Sequence, residues 1–224
     1  MAHRILKTQH EPEFTALTKL FRSDADLLIA DIGANIGQSG LDFAALFPRA
    51  RIVSFEANPE LEPYLRFCQR LIGERFQFKM VGMSDSPRNL EIFVPKRGEV
   101  FIYGEAAVDA KIFEDAATRG RIGEFTLHRV NCRLIDFDSA GLSPDIVKID
   151  VQGHELQVLQ GMQRTLTARR PHLVIERSPA DETVMAFLRP FGYDFFLAGD
   201  GGPPVPYSAQ SARINMLCVP RAQN

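Results

Sequence analysis

Short runs of apolar and β-branched residues alternate along this chain with segments of helical periodicity. The runs are residues 27–31 (LLIAD), 51–56 (RIVSFE), 76–82 (FQFKMVG), 146–150 (IVKID) and 172–176 (HLVIE). Such runs are typical of parallel strands that are covered on both faces. Between them, two helical faces are formed by Leu61, Leu65, Cys68 and Ile72 and by Leu156, Leu159, Met162 and Leu166. Because strand–helix alternation gives right-handed crossovers, the sequence predicts an α/β fold with a doubly wound, mostly parallel, Rossmann-like sheet flanked by helices.

Three stretches depart from this alternation. Residues 13–21 predict a leading helix, within an N-terminal extension of residues 1–26, that covers the site or the sheet edge. Residues 95–124 have no clean period and are rich in glycine and charge, so we expect an insertion or lid with some helix near 106–118. Residues 193–198 (YDFFLA) and 214–219 (INMLCV) flank a Gly/Pro-rich loop and predict an antiparallel pair at the sheet edge. The 224 residues fit a single domain, 1–224.

The composition argues against several classes of protein. The formal net charge of −2 lacks the basic excess of a nucleic-acid binder. No apolar run reaches the roughly 18 residues that span a bilayer, and residues 1–10 lack the apolar centre of a signal peptide, so we expect a cytoplasmic protein with no membrane partner. Three separated cysteines, Cys68, Cys132 and Cys218, are expected to pack as small apolar residues. Because no HExxH or comparable spacing appears, no metal is predicted.

The segment LLIADIGANIGQSG, residues 27–40, carries the first chemical signal. A buried strand ends near Asp31, and a glycine-containing turn leads into a helix; ligands of parallel sheets bind at such strand ends. Asp31 suits a cationic ligand, such as the amino and sulfonium groups of S-adenosylmethionine (SAM), and Gly33 and Gly37 would let a ligand approach the backbone. The loop is not GxGxxG, because positions 35 and 38 are Asn and Gln. We assign to a cofactor site Asp31, Gly33, Asn35, Gly37 and Gln38; a tight turn that binds nothing is the alternative.

The second and third strands end in further polar residues. Glu56 follows the second strand about twenty residues after the loop, where a carboxylate can accept hydrogen bonds from both ribose hydroxyls of an adenosine. Ala57 and Asn58 continue this strand end and are assigned to the same site. Since NAD carries the same ribose, Glu56 indicates adenosine rather than SAM. Ser84 and Asp85 follow the third strand; Asp85 could accept from an adenine amino group or serve as a turn residue before Ser86-Pro87.

The second strong signal is IVKIDVQGHELQVLQG, residues 146–161. A buried strand ends in Asp150, a turn holds Gly153, and a helix begins near His154. Ends of parallel strands meet at one edge of the sheet, so we expect Asp150, Gln152, His154 and Glu155 to surround the same cleft as the first loop.

The chain resembles the FkbM family of SAM-dependent methyltransferases. The matching pieces are DIGANIGQ (31–38), FEANP (55–59), MSD (83–85), KIDVQGHELQVLQG (148–161) and LVIE (173–176), in order and spacing from about residue 27 to 176. The family commonly has Glu where this chain has Gln152. The resemblance implies a class I, Rossmann-like methyltransferase that uses SAM, and it implies a small-molecule acceptor such as a hydroxyl of a sugar or natural product.

A hydroxyl acceptor also requires a general base. His154 is the first candidate because it can titrate near neutral pH. Asp150 is interpreted as a cofactor-facing or base-orienting carboxylate, and Glu155 as a residue that orients a neighbour or holds the substrate. The alternatives are a capping His154, a capping Asp150 and a favourable first-turn carboxylate at Glu155. His10, His128 and Glu176 could also lie near the acceptor, although nothing local places them there.

Two other functions are kept open. An NAD(P)-dependent oxidoreductase would share the sheet and Glu56, but it should show GxGxxG. A non-catalytic SAM-binding module would retain the loop at residues 31–38 and lack a working acceptor site.

Overall fold

The computed structural model describes residues 12–198 and 202–222. Within these ranges the strands are, in chain order, β1 (Leu28–Ile32), β2 (Arg51–Phe55), β3 (Phe76–Lys79), β4 (Gly82–Ser84), β5 (Arg88–Arg97), β6 (Val100–Phe101), β7 (Thr126–Asp136), β8 (Ile146–Ile149), β9 (His172–Glu176), β10 (Tyr193–Leu197), β11 (Val205–Pro206) and β12 (Asn215–Pro220). The α-helices are α1 (Gln38–Leu46), α2 (Glu62–Ile72), α3 (Ala116–Ile122), α4 (Glu155–Gln160), α5 (Gln163–Ala168) and α6 (Asp181–Leu188).

The large sheet has the order β11–β10–β12–β9–β8–β1–β2–β3. The five strands from β9 to β3 are parallel, whereas β12 pairs antiparallel with both β9 and β10. The chain builds outward from β1 through β2 to β3 and then returns to β8 on the other side of β1. This reversal beside β1 is the switch point at which doubly wound sheets bind ligands. The α/β fold and the antiparallel pair are confirmed, although β12 lies inside the sheet and β11 forms the edge.

Alternate residues of the central strands face two separate cores. Ile29 and Ile52 pack with Phe43 of α1 and Leu65 of α2 on one face. Ala30, Val53 and their neighbours pack with α4, α5 and α6 on the other face. β1, β2, β8 and β9 are therefore buried on both sides, which explains why their sequences are mostly apolar. No helix in the described ranges is both long enough and apolar enough to cross a bilayer.

The third predicted strand, residues 76–82, divides between two sheets. Phe76–Lys79 pairs with β2, whereas Gly82–Ser84 pairs with β7. The chain turns sharply between the two pieces, where Val81 N donates to Lys79 O. A Cβ at Gly82 would lie 2.4 Å from Leu134 and 2.8 Å from Ala57, so this turn brings the backbone against its neighbours too closely for a side chain.

A second sheet, of order β4–β7–β5–β6, flanks the region expected to be an irregular insertion and contains only residues 95–97 and 100–101 of it. β5 and β7 pair antiparallel from Arg88 with Leu134 to Lys96 with Thr126. The rest of residues 95–124 lies outside the sheet, with 3₁₀ turns at Tyr103–Glu105 and Ala110–Glu114 followed by α3. The helix thus lies later than the predicted 106–118. The strands on either side of this region, β5 and β7, pair with each other across it, which local periodicity does not reveal.

The helix expected over residues 156–166 is broken into α4 and α5. Gly161 lies between them, where a Cβ would be 1.9 Å from the carbonyl oxygen of Ser84. The Asp138 carboxylate caps the start of α5, because it accepts hydrogen bonds from the backbone N–H groups of Arg164 and Thr165. Contact with the second sheet therefore sets the break, which the apolar spacing alone does not reveal.

The leading helix is present as a 3₁₀ helix, Pro12–Lys19. Phe14 stacks on Phe43 of α1 with ring centroids 4.6 Å apart, and the Glu13 carboxylate accepts from the backbone of Ile214 and Asn215 at β12. Leu20, expected on its buried side, is 39% exposed. This segment packs on the sheet and α1 and does not line the cavity described below. The three cysteines are buried and unpaired, as expected.

Candidate active site

A cavity of about 350 Å³ lies at the carboxyl ends of β1, β2, β8 and β9. Its volume is within the range of about 300–1,000 Å³ that is typical of small-molecule sites. Apolar side chains of the second sheet, Leu90, Ile92 and Leu134, form part of the opposite wall, together with residues 103–108. The cavity therefore lies between the two sheets at the switch point. We call Glu56, Ala57 and Asn58 its β2 end, and Asp150, Gln152 and Glu176 its β8–β9 end.

The first loop is held by the protein itself. Gly33 and Ala34 donate to the Phe55 carbonyl at 3.0 Å each, and Lys148 Nζ donates to the Gly33 carbonyl at 2.9 Å. Gly33 has φ +77°, and a Cβ there would lie 1.7 Å from the Asp150 carbonyl oxygen. At Gly37, with φ +90°, a Cβ would lie 2.6 Å from Cys68 Sγ. Contacts within the protein thus already require glycine at both positions, and the approach of a ligand to them stays a prediction.

Asp31 lies beneath this loop and is fully buried. Its carboxylate accepts hydrogen bonds from Ser39 Oγ at 2.9 Å and Ser54 Oγ at 2.8 Å, and Lys148 Nζ lies 3.7 Å away. Asp31 is not part of the cavity wall. Its contact with a cofactor stays a prediction, whereas the structure shows a carboxylate that ties β1 to β2 and α1.

Glu56 forms the β2 end of the cavity in a backbone cradle. One carboxylate oxygen accepts from Asn35 N and the other from Asn58 N, both at 2.8 Å. Burial raises the pKa of Glu56, while the two backbone donors and the charge of Lys148 oppose that rise. Asn35 adopts φ +49°, which directs its amide toward the carboxylate. The β1 loop and the β2 end are therefore joined through Glu56.

Asn58 lines the cavity and begins the next helical segment. Its Oδ1 accepts from Glu60 N at 2.9 Å, as expected of a residue that precedes Pro59 at a helix start. Its Nδ2 is buried and has no hydrogen-bond partner among the described residues. A buried amide without a partner is costly, so a ligand oxygen in the cavity would satisfy it.

His154 lines the cavity between α4 and β4. Its Nε2 lies 2.9 Å from Ser84 Oγ and 3.3 Å from Arg88 Nη2, and Arg88 also pairs with Asp85. Burial lowers the pKa of His154, and the Arg88 charge lowers it further against an opposing effect of Asp85. The imidazole is therefore neutral near pH 7. Ser84 is buried and Asp85 is exposed, and neither forms part of the cavity wall.

Asp150 and Glu176 meet at the β8–β9 end. Gln152 Nε2 donates to Asp150 Oδ1 at 3.1 Å and to Glu176 Oε2 at 2.9 Å. Lys148 Nζ lies 3.2 Å from Asp150 Oδ2 and is almost completely buried. Sequence reasoning missed Lys148, although a lysine inside a buried strand is itself a signal. The sequence names Glu176 as a candidate, but no local pattern places it at the cavity.

Glu155 lies behind the turn that carries Gln152. It is buried, and its Oε1 accepts from Gly153 N at 2.9 Å and from Val151 N at 3.4 Å. It does not line the cavity, and its observed contacts fit the alternative of a first-turn carboxylate that organises the turn. Gln152 is held at φ +52° in this turn.

The structure thus brings together most of the residues assigned from the sequence. Those that line the cavity are Gly33, Asn35, Gln38, Glu56, Ala57, Asn58, Asp150 and His154. Those outside its wall are Asp31, Gly37, Ser84, Asp85 and Glu155. His128 lies outside it as well and pairs with Glu60, and His10 lies outside the described residues. Met83 and Tyr103 are further wall residues, of which only Met83 follows a predicted strand end.

Two curated relatives share part of this sequence. The AMB antimetabolite synthetase AmbE of Pseudomonas aeruginosa is 31% identical over an alignment of 180 residues; the match covers 67% of this chain and 8% of AmbE. The 2-O-methyltransferase NoeI of Sinorhizobium fredii is 30% identical over an alignment of 159 residues; the match covers 65% of this chain and 61% of NoeI. The chain therefore spans less than two thirds of the length of either relative.

Two solved structures share the fold. One is the methyltransferase FkbM from Methylobacillus flagellatus, with a TM-score of 0.62 and 14% identity, covering 97% of this chain and 50% of that chain. The other is the precorrin-6y C5,15-methyltransferase from Geobacter metallireducens, with a TM-score of 0.51 and 17% identity, covering 92% and 84%. At these identities they establish the fold alone.

The family match covers the strand ends that build the cavity. Residues 31–195 match the methyltransferase FkbM domain, from the β1 loop through β9 and into β10. This range is well over half of the chain and includes both ends of the cavity. The chain belongs to the FkbM methyltransferase family.

Proposed function

We propose that this chain transfers the methyl group of SAM to a hydroxyl of a small molecule such as a sugar or natural product. The observation that carries the proposal is the cavity at the switch point, with a carboxylate in a backbone cradle at one end and two carboxyl groups at the other. Family membership supports methyl transfer. Similarity to a relative named as a 2-O-methyltransferase supports an oxygen acceptor.

The β2 end has the groups that an adenosine ribose needs. Glu56 presents a carboxylate that can accept hydrogen bonds from the ribose hydroxyls. Asn58 Nδ2, buried and without a partner among the described residues, can donate to a ligand oxygen there. Asn35 and Gln38, which also line the cavity, would contact the remainder of SAM. When bound, SAM supplies an electrophilic methyl group, and the protein has to align the acceptor with it.

The wall opposite the strand ends would exclude water from the reaction. Leu90, Ile92 and Leu134 belong to the ordered second sheet, whereas residues 103–108 connect through 3₁₀ and extended segments. We propose that residues 103–108 are the substrate-facing cover. Hydrogen exchange with and without S-adenosylhomocysteine tests this, because a cover becomes protected when the ligand binds. Protection equal to that of the core strands in both states would identify a fixed wall.

Two measurements test the proposed function as a whole. Calorimetry should give binding of SAM and S-adenosylhomocysteine and none of NAD, because the loop is not GxGxxG. Label from [methyl-¹⁴C]SAM should then pass to at least one member of a panel of monosaccharides and polyols. Binding of NAD in place of SAM would favour an oxidoreductase. Binding of SAM without transfer to any hydroxyl, amine or thiol compound would favour a non-catalytic module.

A further inference from the structure

We propose that Asp150 takes the proton of the acceptor hydroxyl and that Glu176 positions Asp150 for this step, an inference that rests on the proposed methyl transfer. The two residues lie at the ends of neighbouring parallel strands. Ile149 of β8 is in register with Ile175 of β9, so the residues that follow, Asp150 and Glu176, leave the sheet side by side. Both line the cavity.

The surrounding side chains hold this pair in one arrangement. The Gln152 amide bridges the two carboxyl groups, with one hydrogen bond to each. Lys148 Nζ contacts Asp150 from below and is itself fixed by the Gly33 carbonyl. Gln152 is placed by the turn that Glu155 organises, so both Gln152 and Lys148 are anchored to the backbone. Such support keeps a reacting group in its productive geometry.

At neutral pH one of the two carboxyl groups carries a proton and the other is ionised. Burial raises the pKa of Glu176, and the nearby charge of Asp150 and a hydrogen bond to it raise it further, to about 9. Burial also tends to raise the pKa of Asp150, but Lys148 and the hydrogen bonds from Glu176 and Gln152 outweigh it and lower the pKa. The negative charge of Glu155 also raises the pKa of Glu176, whereas the positive charge of Lys148 lowers it. Asp150 is therefore the ionised member and Glu176 the protonated donor.

The topology puts this pair at the acceptor side of the cavity. The β2 end holds Glu56, two strands away from β8 across β1. A cofactor with its ribose at Glu56 extends across the β1 loop toward β8, because the loop lies between these strands. The β8–β9 end is then the part of the cavity left for the acceptor.

The proposed step balances without a further reactant. As the bond between the acceptor oxygen and the methyl carbon forms, the bond from that carbon to the sulfur of SAM breaks, and the sulfur keeps the electron pair. The acceptor oxygen thereby becomes an oxonium, whose proton is strongly acidic. The Asp150 carboxylate accepts this proton and later passes it to water. A carboxylate of low pKa suffices for so acidic a proton, and it is ionised throughout the neutral range.

His154 is less suited to this role. Its Nε2 is already in contact with Ser84 Oγ and with the cationic Arg88. A positive charge at 3.3 Å opposes the arrival of a proton on that nitrogen. The two candidates predict different responses to pH and to substitution.

Carboxyl titration tests the pair without any need for turnover. The protein is labelled with carboxyl-¹³C glutamate and titrated by NMR, with and without S-adenosylhomocysteine, and the resonance lost in Glu176→Gln is assigned to Glu176. We expect it to titrate in the alkaline range, and to move to lower pH in Asp150→Asn because the neighbouring charge is gone. Titration near the ordinary glutamate value, or no change in Asp150→Asn, would overturn the proposal.

Kinetics with a monosaccharide that the wild type methylates test the assigned roles. Asp150→Asn should lower kcat by about 10²–10⁴-fold and change the Kd for SAM by less than about 3-fold. Glu176→Gln should retain at least about ten times the kcat of Glu176→Leu, because the amide still donates to Asp150. Wild-type activity should fall as pH rises through the Glu176 titration, and Glu176→Gln should lose this fall.

Each other outcome has a definite meaning. Loss of SAM affinity in Asp150→Asn by more than about 10-fold would make Asp150 a cofactor ligand and overturn the proposal. Equal turnover in Glu176→Gln and Glu176→Leu would remove the positioning role. An alkaline titration of Glu176 in a protein that methylates no acceptor would count against the proposed function alone. An ordinary titration overturns the proposed pair in either case.

Discussion

The two ends of the cavity each present a carboxylate, but the protein holds the two carboxylates differently. At the β2 end, both oxygens of Glu56 accept from backbone amides. At the β8–β9 end, Asp150 is held by the side chains of Lys148, Gln152 and Glu176. Backbone donors are fixed by the fold and cannot give up a proton, whereas Glu176 can. The backbone cradle at the β2 end suits binding of a ligand group that does not react, such as the ribose of the cofactor. The side-chain arrangement at the β8–β9 end suits transfer of a proton.

The largest effect is expected at Gly33, which joins the two ends. Its backbone contacts the Phe55 carbonyl on one side and the Asp150 carbonyl on the other. Gly33→Ala adds a methyl group against a backbone oxygen at a positive φ, so we expect a loss of about 3–6 kcal/mol in the free energy of unfolding. Gly141→Ala is the control, because Gly141 has φ +67° with open space around it. It should lose only about 1–2 kcal/mol in denaturant unfolding. If both variants lose a similar free energy of unfolding, the positive φ alone accounts for the effect at Gly33 and the contact with the Asp150 carbonyl does not contribute.

Removal of the cradled carboxylate should weaken cofactor binding at the β2 end only. Glu56→Ala is expected to reduce SAM affinity by about 1–3 kcal/mol, measured by calorimetry, because a charge-assisted hydrogen bond is lost. Glu60→Ala removes the same chemical group four residues later, outside the cavity wall, and should leave the affinity unchanged. An unchanged affinity in a folded Glu56→Ala protein would end the assignment of the ribose to this end.

His154 allows a sharper test of the β8–β9 end. If this histidine were the general base, as its sequence position suggests, His154→Ala would lower kcat by about 10²–10⁴-fold. Because Ser84 and Arg88 occupy its Nε2, we expect a decrease of less than about 10-fold. His128→Ala, on the outside of the molecule, is the matched control. A larger decrease, together with activity that rises with pH through the lowered His154 pKa, would move the proton transfer to His154.

The smallest effect concerns stability and pH. The folded protein keeps a proton on Glu176 up to about pH 9, whereas the unfolded chain releases it near the ordinary value of 4.5. Stability therefore falls as pH rises between these values, because unfolding releases a proton. Glu176→Gln removes this contribution, so the Tm of the variant should fall less than that of the wild type between about pH 7 and 8, by roughly 3–5 °C. If the Tm of Glu176→Gln and that of the wild type fall equally with pH, Glu176 is ionised in the folded protein.

The strands that position the site could be predicted because their signal is local. β1, β2, β8 and β9 appear as short, mostly apolar runs, and the predicted bounds lie within one residue of each observed end. Glu56 and Asp150 follow directly from those strand ends. The second sheet was missed because β5 and β7 pair across an intervening segment of their own. A signal was present in β7, where buried Val130, Cys132 and Leu134 alternate with exposed residues, which is the period of a strand covered on one face.

The roles of single residues were harder to predict than their positions. Asp31 and Gly37 stand in the expected loop, yet their contacts are with Ser39, Ser54 and Cys68 inside the protein. Sequence spacing gives the strand end but not the direction in which a side chain points. Glu176 could have been paired with Asp150, since equivalent ends of adjacent parallel strands lie side by side. Pairing them requires the strand order, which no local pattern supplies.

The insertion of β12 between β9 and β10 has a consequence for the order of folding. Both neighbours precede β12 in the chain, and β10 pairs within the described residues only with β12 and the two-residue β11. Until β12 docks, β9 presents a row of unpaired amides and carbonyls, which is a template for pairing with other chains. Contacts between Glu13 and residues 214–215 close a loop of about two hundred residues in the same step. Completion of the sheet is therefore a late, non-local event, in which the exposed edge of β9 favours slow folding and aggregation.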